Sequence, residues 1–123
     1  MPRGFRLTSP LLTICTIFMV SACDAPDTRD KARVFLARGE LLASEGRVRE
    51  AAAAFRDAAG EYPEDPSIRL MLAKAYLAAD LAEPALTAIE HAQRLGIPEA
   101  ELSALRAEAF ASRGDFEEAL RLI

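Results

Sequence analysis

The residue types that most often carry covalent or acid–base chemistry are scarce in this sequence. It contains two cysteines, Cys15 and Cys23, and one histidine, His91. A thiolate at Cys23 could act as a nucleophile, but one histidine cannot complete a nucleophile–base–acid set. The cysteines and the histidine do not have the spacing of metal ligands, and no glycine-rich phosphate loop occurs. We therefore predict that the protein is not an enzyme and uses no metal or other cofactor.

Cys23 stands at the end of an amino-terminal segment with an ordered series of residue types. Arg3 and Arg6 precede the apolar run "LLTICTIFMV", and no acidic residue occurs before Asp24. A run of ten residues is too short to span a membrane, which takes about 20. A basic region, a short apolar region and small residues at a cleavage point are typical of an export signal. We therefore predict that residues 1–22 form a cleaved signal peptide.

The residues Val20-Ser21-Ala22-Cys23 resemble the bacterial lipobox. The resemblance implies that the Cys23 thiol is alkylated with diacylglycerol, that the signal is cut between Ala22 and Cys23, and that the new amino terminus is acylated. Three acyl chains, at about 0.8 kcal/mol per buried CH₂, would anchor the protein on the periplasmic side of a membrane. Asp24 resembles a residue that retains lipoproteins in the inner membrane, with the outer membrane as the alternative. An ordinary secretory signal with an incidental cysteine is the other interpretation.

Removal of the signal would make the chain more acidic. The full sequence has a net charge of −4, and the loss of Arg3 and Arg6 leaves 13 basic and 19 acidic residues, or about −6. This charge argues against nucleic acid as a partner, because phosphates require a basic patch. Residues 23–29, which include the polar stretch "DAPDTR", would form the lipidated terminus and a tether.

Residues 30–123 are rich in strong helix formers and repeat with a period of 34. Five columns keep this spacing: Gly39, Ala73 and Ala107; Leu42, Tyr76 and Phe110; Gly46, Asp80 and Gly114; Ala51, Ala85 and Ala119; and Phe55, Ile89 and Ile123. The small residues allow two helices to approach closely. The glycines of the third column supply a turn with positive φ, for which Asp80 is a tolerated substitute. The pattern predicts helices near residues 30–45, 47–61, 66–79, 82–95, 99–113 and 115–123.

This pattern resembles the tetratricopeptide repeat, a 34-residue helix–turn–helix unit. The resemblance implies an all-α solenoid of about two and two-thirds repeats over residues 30–123. The repeats would cover residues 32–65, 66–99 and 100–123, the last of them incomplete. A generic alanine-rich helical bundle is the alternative.

The sequence departs from the tetratricopeptide pattern at several positions. Arg38 and Arg106 stand where the family usually carries leucine, and Arg69 and Ser103 stand where an aromatic residue is expected. Repeat three stops at Ile123, so we expect that the chain either belongs to a longer array or has a partner at its carboxyl-terminal face.

In tetratricopeptide arrays, the first helix of each repeat lines a concave groove that takes a peptide or a partner helix. By position, the resemblance assigns to this groove Arg33, Leu36, Glu40 and Ala43 of repeat one, Ser67, Leu70, Lys74 and Leu77 of repeat two, and Glu101, Ala104, Glu108 and Ala111 of repeat three. Leucines edged by Glu40 and Glu108 would suit an apolar or basic segment. The same leucines could instead belong to the core between repeats.

The stretch "AYLAADLAEPALTAIEHAQRLGIPEAELSALRAEAFASRGDFEEAL" looks like the start of the tetratricopeptide lipoproteins associated with exosortase (PEP-CTERM) and exopolysaccharide systems. The resemblance implies a scaffold in envelope assembly or polymer export. Such a scaffold would bind a protein partner and touch the membrane through its lipid, and it would bind no nucleic acid and no small-molecule substrate. The alternative is a regulatory or targeting subunit of a cell-wall enzyme, pilus or outer-membrane assembly complex.

Overall fold

The structure is a computed structural model that describes residues 27–123, and these residues form helices and no strand. The helices are α1 (Thr28–Ser44), α2 (Val48–Glu61), α3 (Pro66–Ala78), α4 (Ala82–Arg94), α5 (Glu99–Arg113) and α6 (Phe116–Arg121). The predicted all-α fold is confirmed, and each helix begins and ends within two residues of its predicted bounds. The predicted signal peptide, the Ala22–Cys23 cleavage site and Asp24 lie outside the described residues.

The helices pack as consecutive antiparallel hairpins. Within each repeat, α1 packs on α2, α3 on α4, and α5 on α6, while α2–α3 and α4–α5 contacts join one repeat to the next. A smaller contact links α3 and α5. Packing that is limited to neighbouring units is the arrangement of a helical solenoid.

Each hairpin turns at the residue that the third column predicts. Gly46, Asp80 and Gly114 have φ values of 79°, 59° and 94°, and Asp80 is the one non-glycine residue with positive φ in the described part of the chain. This backbone region is open to glycine and tolerated by aspartate. The Asp80 carboxylate accepts a hydrogen bond from the Ser112 hydroxyl, which ties the second turn to the end of α5.

The small residues lie where the helices approach most closely. Ala51, Ala85 and Ala119 are 1%, 0% and 6% exposed. A Cβ atom on Gly39 would lie 2.6 Å from the ring of Phe55, so a larger residue at that position would collide with α2. Close approach within the hairpins is therefore confirmed.

The first helix begins two residues earlier than predicted, at Thr28. Its first turn is tied to the end of α2 by Arg29, which donates a hydrogen bond of 3.2 Å to the hydroxyl of Tyr62. The same guanidinium lies 5.4 Å from the centroid of the tyrosine ring, within the range of a cation–π contact. This contact joins residues 33 positions apart and extends α1 toward the amino terminus.

Among residues 27–123, no helix has both the length and the apolar character needed to cross a membrane.

Candidate protein-binding surface

The residues assigned to the partner groove lie on the first helix of each repeat, α1, α3 and α5. The polar members are exposed, namely Arg33, Glu40, Ser67, Lys74, Glu101 and Glu108. The alanines Ala43, Ala104 and Ala111 are exposed as well. The surface that these helices present therefore carries both signs of charge, interrupted by small apolar side chains.

The three leucines of this surface are half-buried. Leu36 and Leu70 pack against the main hydrophobic core, which runs from α1 to α5. Leu77 is half-buried near the end of α3. Leu36 and Leu70 thus contribute to the core between repeats and still present part of their apolar surface to solvent.

An apolar cleft of about 270 Å³ lies between repeats one and two, near the carboxyl ends of α1 and α3. Its lining residues are Ala43, Val48, Ala51, Phe55, Met71, Lys74, Ala75 and Ala78. Lys74 is the one charged residue among them, and it stands on α3 at an exposed position. A cleft of this composition can accept an apolar side chain, because such a group would lose its hydration on entering.

A second cleft, of about 370 Å³, lies near the amino ends of α1 and α3. Its lining residues are Arg29, Ala32, Arg33, Leu36, Tyr62, Asp65 and Ile68. It offers guanidinium donors and a carboxylate around an apolar base, which suits a polar segment of a partner. The ion pair between Arg33 and Asp30, at 3.7 Å, is exposed and contributes little to stability.

Residues of the second helices contribute to this surface, and the sequence-based assignment did not include them. Val48, Ala51 and Phe55 of α2 form one wall of the apolar cleft. The groove was assigned by position from the first helices alone, whereas the cleft opens between repeats one and two beside the small side chain of Ala51. The alanine column was the signal in the sequence that could have indicated this opening.

His91 does not lie in these clefts. It lies on α4 and is half-buried. Burial of the imidazole, and then the positive charges of Arg69 and Arg94, lower the pKa of His91, while Glu90 acts in the opposite direction. His91 makes no side-chain hydrogen bond to any described residue.

Residues 27–123 contain no group of three or more histidine, cysteine, aspartate or glutamate residues that could hold a metal ion. The described surface offers an apolar cleft, a cleft of mixed polarity and exposed charged side chains. These groups can recognise a polypeptide through side-chain burial and charge complementarity.

Comparison with known proteins agrees with this architecture. The sequence pattern of the tetratricopeptide repeat matches residues 42–108, which is more than half of the chain. No curated protein matches the chain. Tetratricopeptide repeats are typically non-catalytic scaffolds that bind protein partners. With its 34-residue period, its three hairpins and this match, the chain belongs to the tetratricopeptide repeat family.

Proposed function

We propose that this protein is a lipid-anchored scaffold that binds a partner protein on the periplasmic side of a membrane. The observation that carries the binding role is the pair of clefts between α1 and α3, one apolar and one mixed. They adjoin exposed residues that the repeat assigns to partner contact. A peptide or helix laid along α1, α3 and α5 would bury apolar side chains in the first cleft and meet charged groups in the second.

The anchor is proposed from the sequence around Cys23. Its support is the lipobox-like order of residues and the short apolar segment before it. Because α1 begins at Thr28, only residues 24–27 separate the lipidated Cys23 from the first helix. The five residues from Cys23 to Asp27 span at most about 18 Å when fully extended. The repeat domain would therefore be held close to the bilayer, and its partner would be a membrane protein or an assembly at the membrane surface.

The process that we propose is envelope assembly or exopolysaccharide and PEP-CTERM export. Its support is the resemblance of residues 75–120 to the repeat lipoproteins of those systems. We favour the inner membrane because of Asp24. Fractionation on a density gradient checks this assignment, and Asp24→Ser should move the protein toward the outer membrane.

The anchor is tested by metabolic labelling with a fatty-acid analogue. Cys23→Ala should lose the label, since it removes the acceptor thiol. Cys15→Ala is the matched control and should keep the label, because Cys15 would leave with the signal peptide. Equal labelling of wild type and Cys23→Ala would refute the lipoprotein assignment.

The binding surface is tested by cross-linking and recovery of partners from detergent-solubilised membranes. Lys74→Glu alters the rim of the apolar cleft and should reduce recovery of specific partners. Arg49→Glu is the matched control, because Arg49 is an exposed residue of α2 that lines neither cleft. Recovery of export components supports the proposed process, whereas recovery of cell-wall synthesis enzymes would support the regulatory alternative. Equal recovery with both variants would contradict the assigned surface.

A further inference from the structure

A groove bordered by α2 and α4, with α3 as its floor, carries a cluster of positive charge. It consists of two adjoining clefts of about 190 Å³ and 270 Å³ that share Arg69 and His91. The first is lined by Pro63, Arg69, His91, Arg94 and Leu95, and the second by Arg56, Arg69, Leu72, Tyr76, Pro84, Thr87, Ala88 and His91. This cationic groove shares no lining residue with the two clefts between α1 and α3.

The arginines of the cationic groove form no ion pairs with the described residues. Arg56, Arg69 and Arg94 form no ion pair with any described residue, and no carboxylate lines either cleft. By contrast, Arg106 pairs with Glu99 at 3.3 Å and Arg113 pairs with Glu83 at 2.8 Å. In a chain with 19 acidic residues, three neighbouring arginines without a carboxylate are a local reversal of the overall charge.

Arg69 is the centre of the cationic groove. Its Nε atom is buried and has no hydrogen-bond partner among residues 27–123. A buried guanidinium donor without an acceptor is unfavourable, because it has lost its water without gaining a hydrogen bond. An anionic ligand that draws the guanidinium toward itself would remove this deficit. Burial is the main cause of the lowered pKa of His91, and the positive charges of Arg69 and Arg94 lower it further against the opposite effect of Glu90.

The residues of α3 and α4 that line the cationic groove differ from those at the equivalent positions of repeat one. The position of Arg69 is occupied by Phe35 in repeat one, and Phe35 packs against the hydrophobic core. The positions of His91 and Arg94 are occupied there by Asp57 and Gly60. Repeat one therefore carries an aromatic residue, an aspartate and a glycine where repeat two carries two arginines and a histidine, and the departure from the repeat pattern at Arg69 coincides with the groove.

The shape and composition of the cationic groove indicate more than a small oxyanion. Beside the arginines lie Leu72, Tyr76, Pro84 and Ala88, which offer apolar surface in the larger cleft. A free phosphate would occupy the charged part alone and leave this surface hydrated. A ligand with a carboxylate next to an apolar side chain would use both parts.

We propose that the cationic groove binds an acidic segment of a partner polypeptide, with a carboxylate held by Arg69 and its neighbours and an adjacent apolar side chain on Tyr76. Guanidinium groups bind carboxylates through paired, charge-assisted hydrogen bonds. The polypeptide nature of the ligand rests on the proposed scaffold function, but the binding face is a different one. The protein would thus hold two partners, or two segments of one partner, on separate faces.

His91 provides a direct probe, because it is the only histidine in the sequence. The imidazole signals of the full-length protein in detergent are followed by NMR during titration with the capped peptide acetyl-Leu-Glu-Phe-Glu-amide. We expect saturable shifts and a higher pKa of His91 in the complex, since a nearby carboxylate stabilises the imidazolium form. The same peptide with glutamine in place of glutamate should produce neither change. Saturation by the glutamine peptide at the same concentration, or by inorganic phosphate at the same concentration as the acidic peptide, would overturn the proposal.

Substitutions inside and outside the cationic groove test where the acidic peptide binds. Arg69→Gln and Arg94→Gln should each weaken binding of the acidic peptide about tenfold or more, because each removes a charge-assisted hydrogen bond. Arg94 is exposed, so its variant keeps the test informative if Arg69→Gln disturbs folding. Arg38→Gln, an exposed arginine of α1, and Lys74→Glu, in the apolar cleft, should bind like the wild type. Unchanged affinity in Arg94→Gln and Arg69→Gln would overturn the proposal, whereas a defect in Lys74→Glu alone would assign the peptide to the surface of the proposed function.

Discussion

Repeats one and two have the same helix spacing and different surfaces. In repeat one, the first turns of α1 place Phe35 against the core, and in repeat two α3 places Arg69 at the equivalent position. The hairpins themselves stay alike, because the columns of small residues and the turn residues are kept. The difference shows that repeats with the same 34-residue period and the same hairpins can carry different side chains on the surface next to the first helix.

The two hairpins also pack their helices closely with different pairs of residues. In repeat one, Gly39 faces the ring of Phe55, and there is no room for a Cβ atom. In repeat two, the equivalent residues are Ala73 and Ile89, both completely buried. A larger residue on the second helix is thus paired with a smaller one on the first. This exchange conserves the volume at the contact, which is the kind of change that a packed core tolerates best.

We expect the largest loss of stability on replacing the buried Ala85 with leucine, and a smaller loss at the buried Ala51. Ala85→Leu should lower the free energy of unfolding by about 1–3 kcal/mol or more, because the site is full. Ala51→Leu should cost less, because Ala51 borders the apolar cleft of about 270 Å³ and the added atoms can enter it. Urea denaturation of the two variants measures the difference. Two neutral substitutions would show that the alanine columns do not lie at close contacts.

Gly39, which lies against Phe55 in the first hairpin, provides the next test of close helix packing. Gly39→Ala should cost about 1–3 kcal/mol through the clash with Phe55, although alanine is the better helix former. Gly60→Ala is the control, since it lies in α2 with open space around it and should stabilise by about 0.5–1 kcal/mol. Combining Gly39→Ala with Phe55→Ile would copy the pair of repeat two and should recover part of the loss. Denaturation curves that rank Gly39→Ala above the wild type would contradict the complementary packing.

Substitutions in the turns between helices should change the free energy of unfolding less. Gly46→Ala should cost about 1 kcal/mol, because φ is 79° and no side chain contacts the position, so the cost is one of backbone conformation alone. Asp80→Gly should change stability less, since relief of the backbone is offset by loss of the hydrogen bond from Ser112. Thermal unfolding of both variants tests this ranking. A larger effect at Asp80 than at Gly46 would indicate that the Ser112 contact, and not the backbone, determines the second turn.

The smallest effect concerns pH and the half-buried histidine of repeat two. The pKa of His91 is lowered in the folded state, so the unfolded chain binds the proton more readily. The contribution of His91 to stability should therefore be fully present above about pH 6.5, the ordinary pKa of histidine, and should decline as the pH falls through the lowered value. His91→Gln should remove this component when the two proteins are compared between pH 7.5 and 5 by urea denaturation. An identical pH dependence in both proteins would show that His91 is not the responsible group.

Much of the architecture could be predicted from the residues alone. The five columns predicted the three hairpins, the turns at Gly46, Asp80 and Gly114, and the burial of the alanines, and the structure confirms each of these. These features are accessible because helix propensity, positive φ and close approach depend on residue type and on spacing within one or two turns. Cys23 as a lipidation site and the groove residues as partner contacts stay predictions.

The sequence by itself determined the period, the helices and the residues that allow them to touch. Only the tertiary structure decided that α1 begins at Thr28 through the contact of Arg29 with Tyr62, and that Ala51 and Phe55 of α2 form a wall of the apolar cleft. It also decided that Arg69 is left without a carboxylate partner, although the sequence already showed that an arginine replaces an aromatic residue. The physical reason is that a cleft or an unpaired charge is defined by every residue that packs around it, and those residues come from helices far apart in the chain.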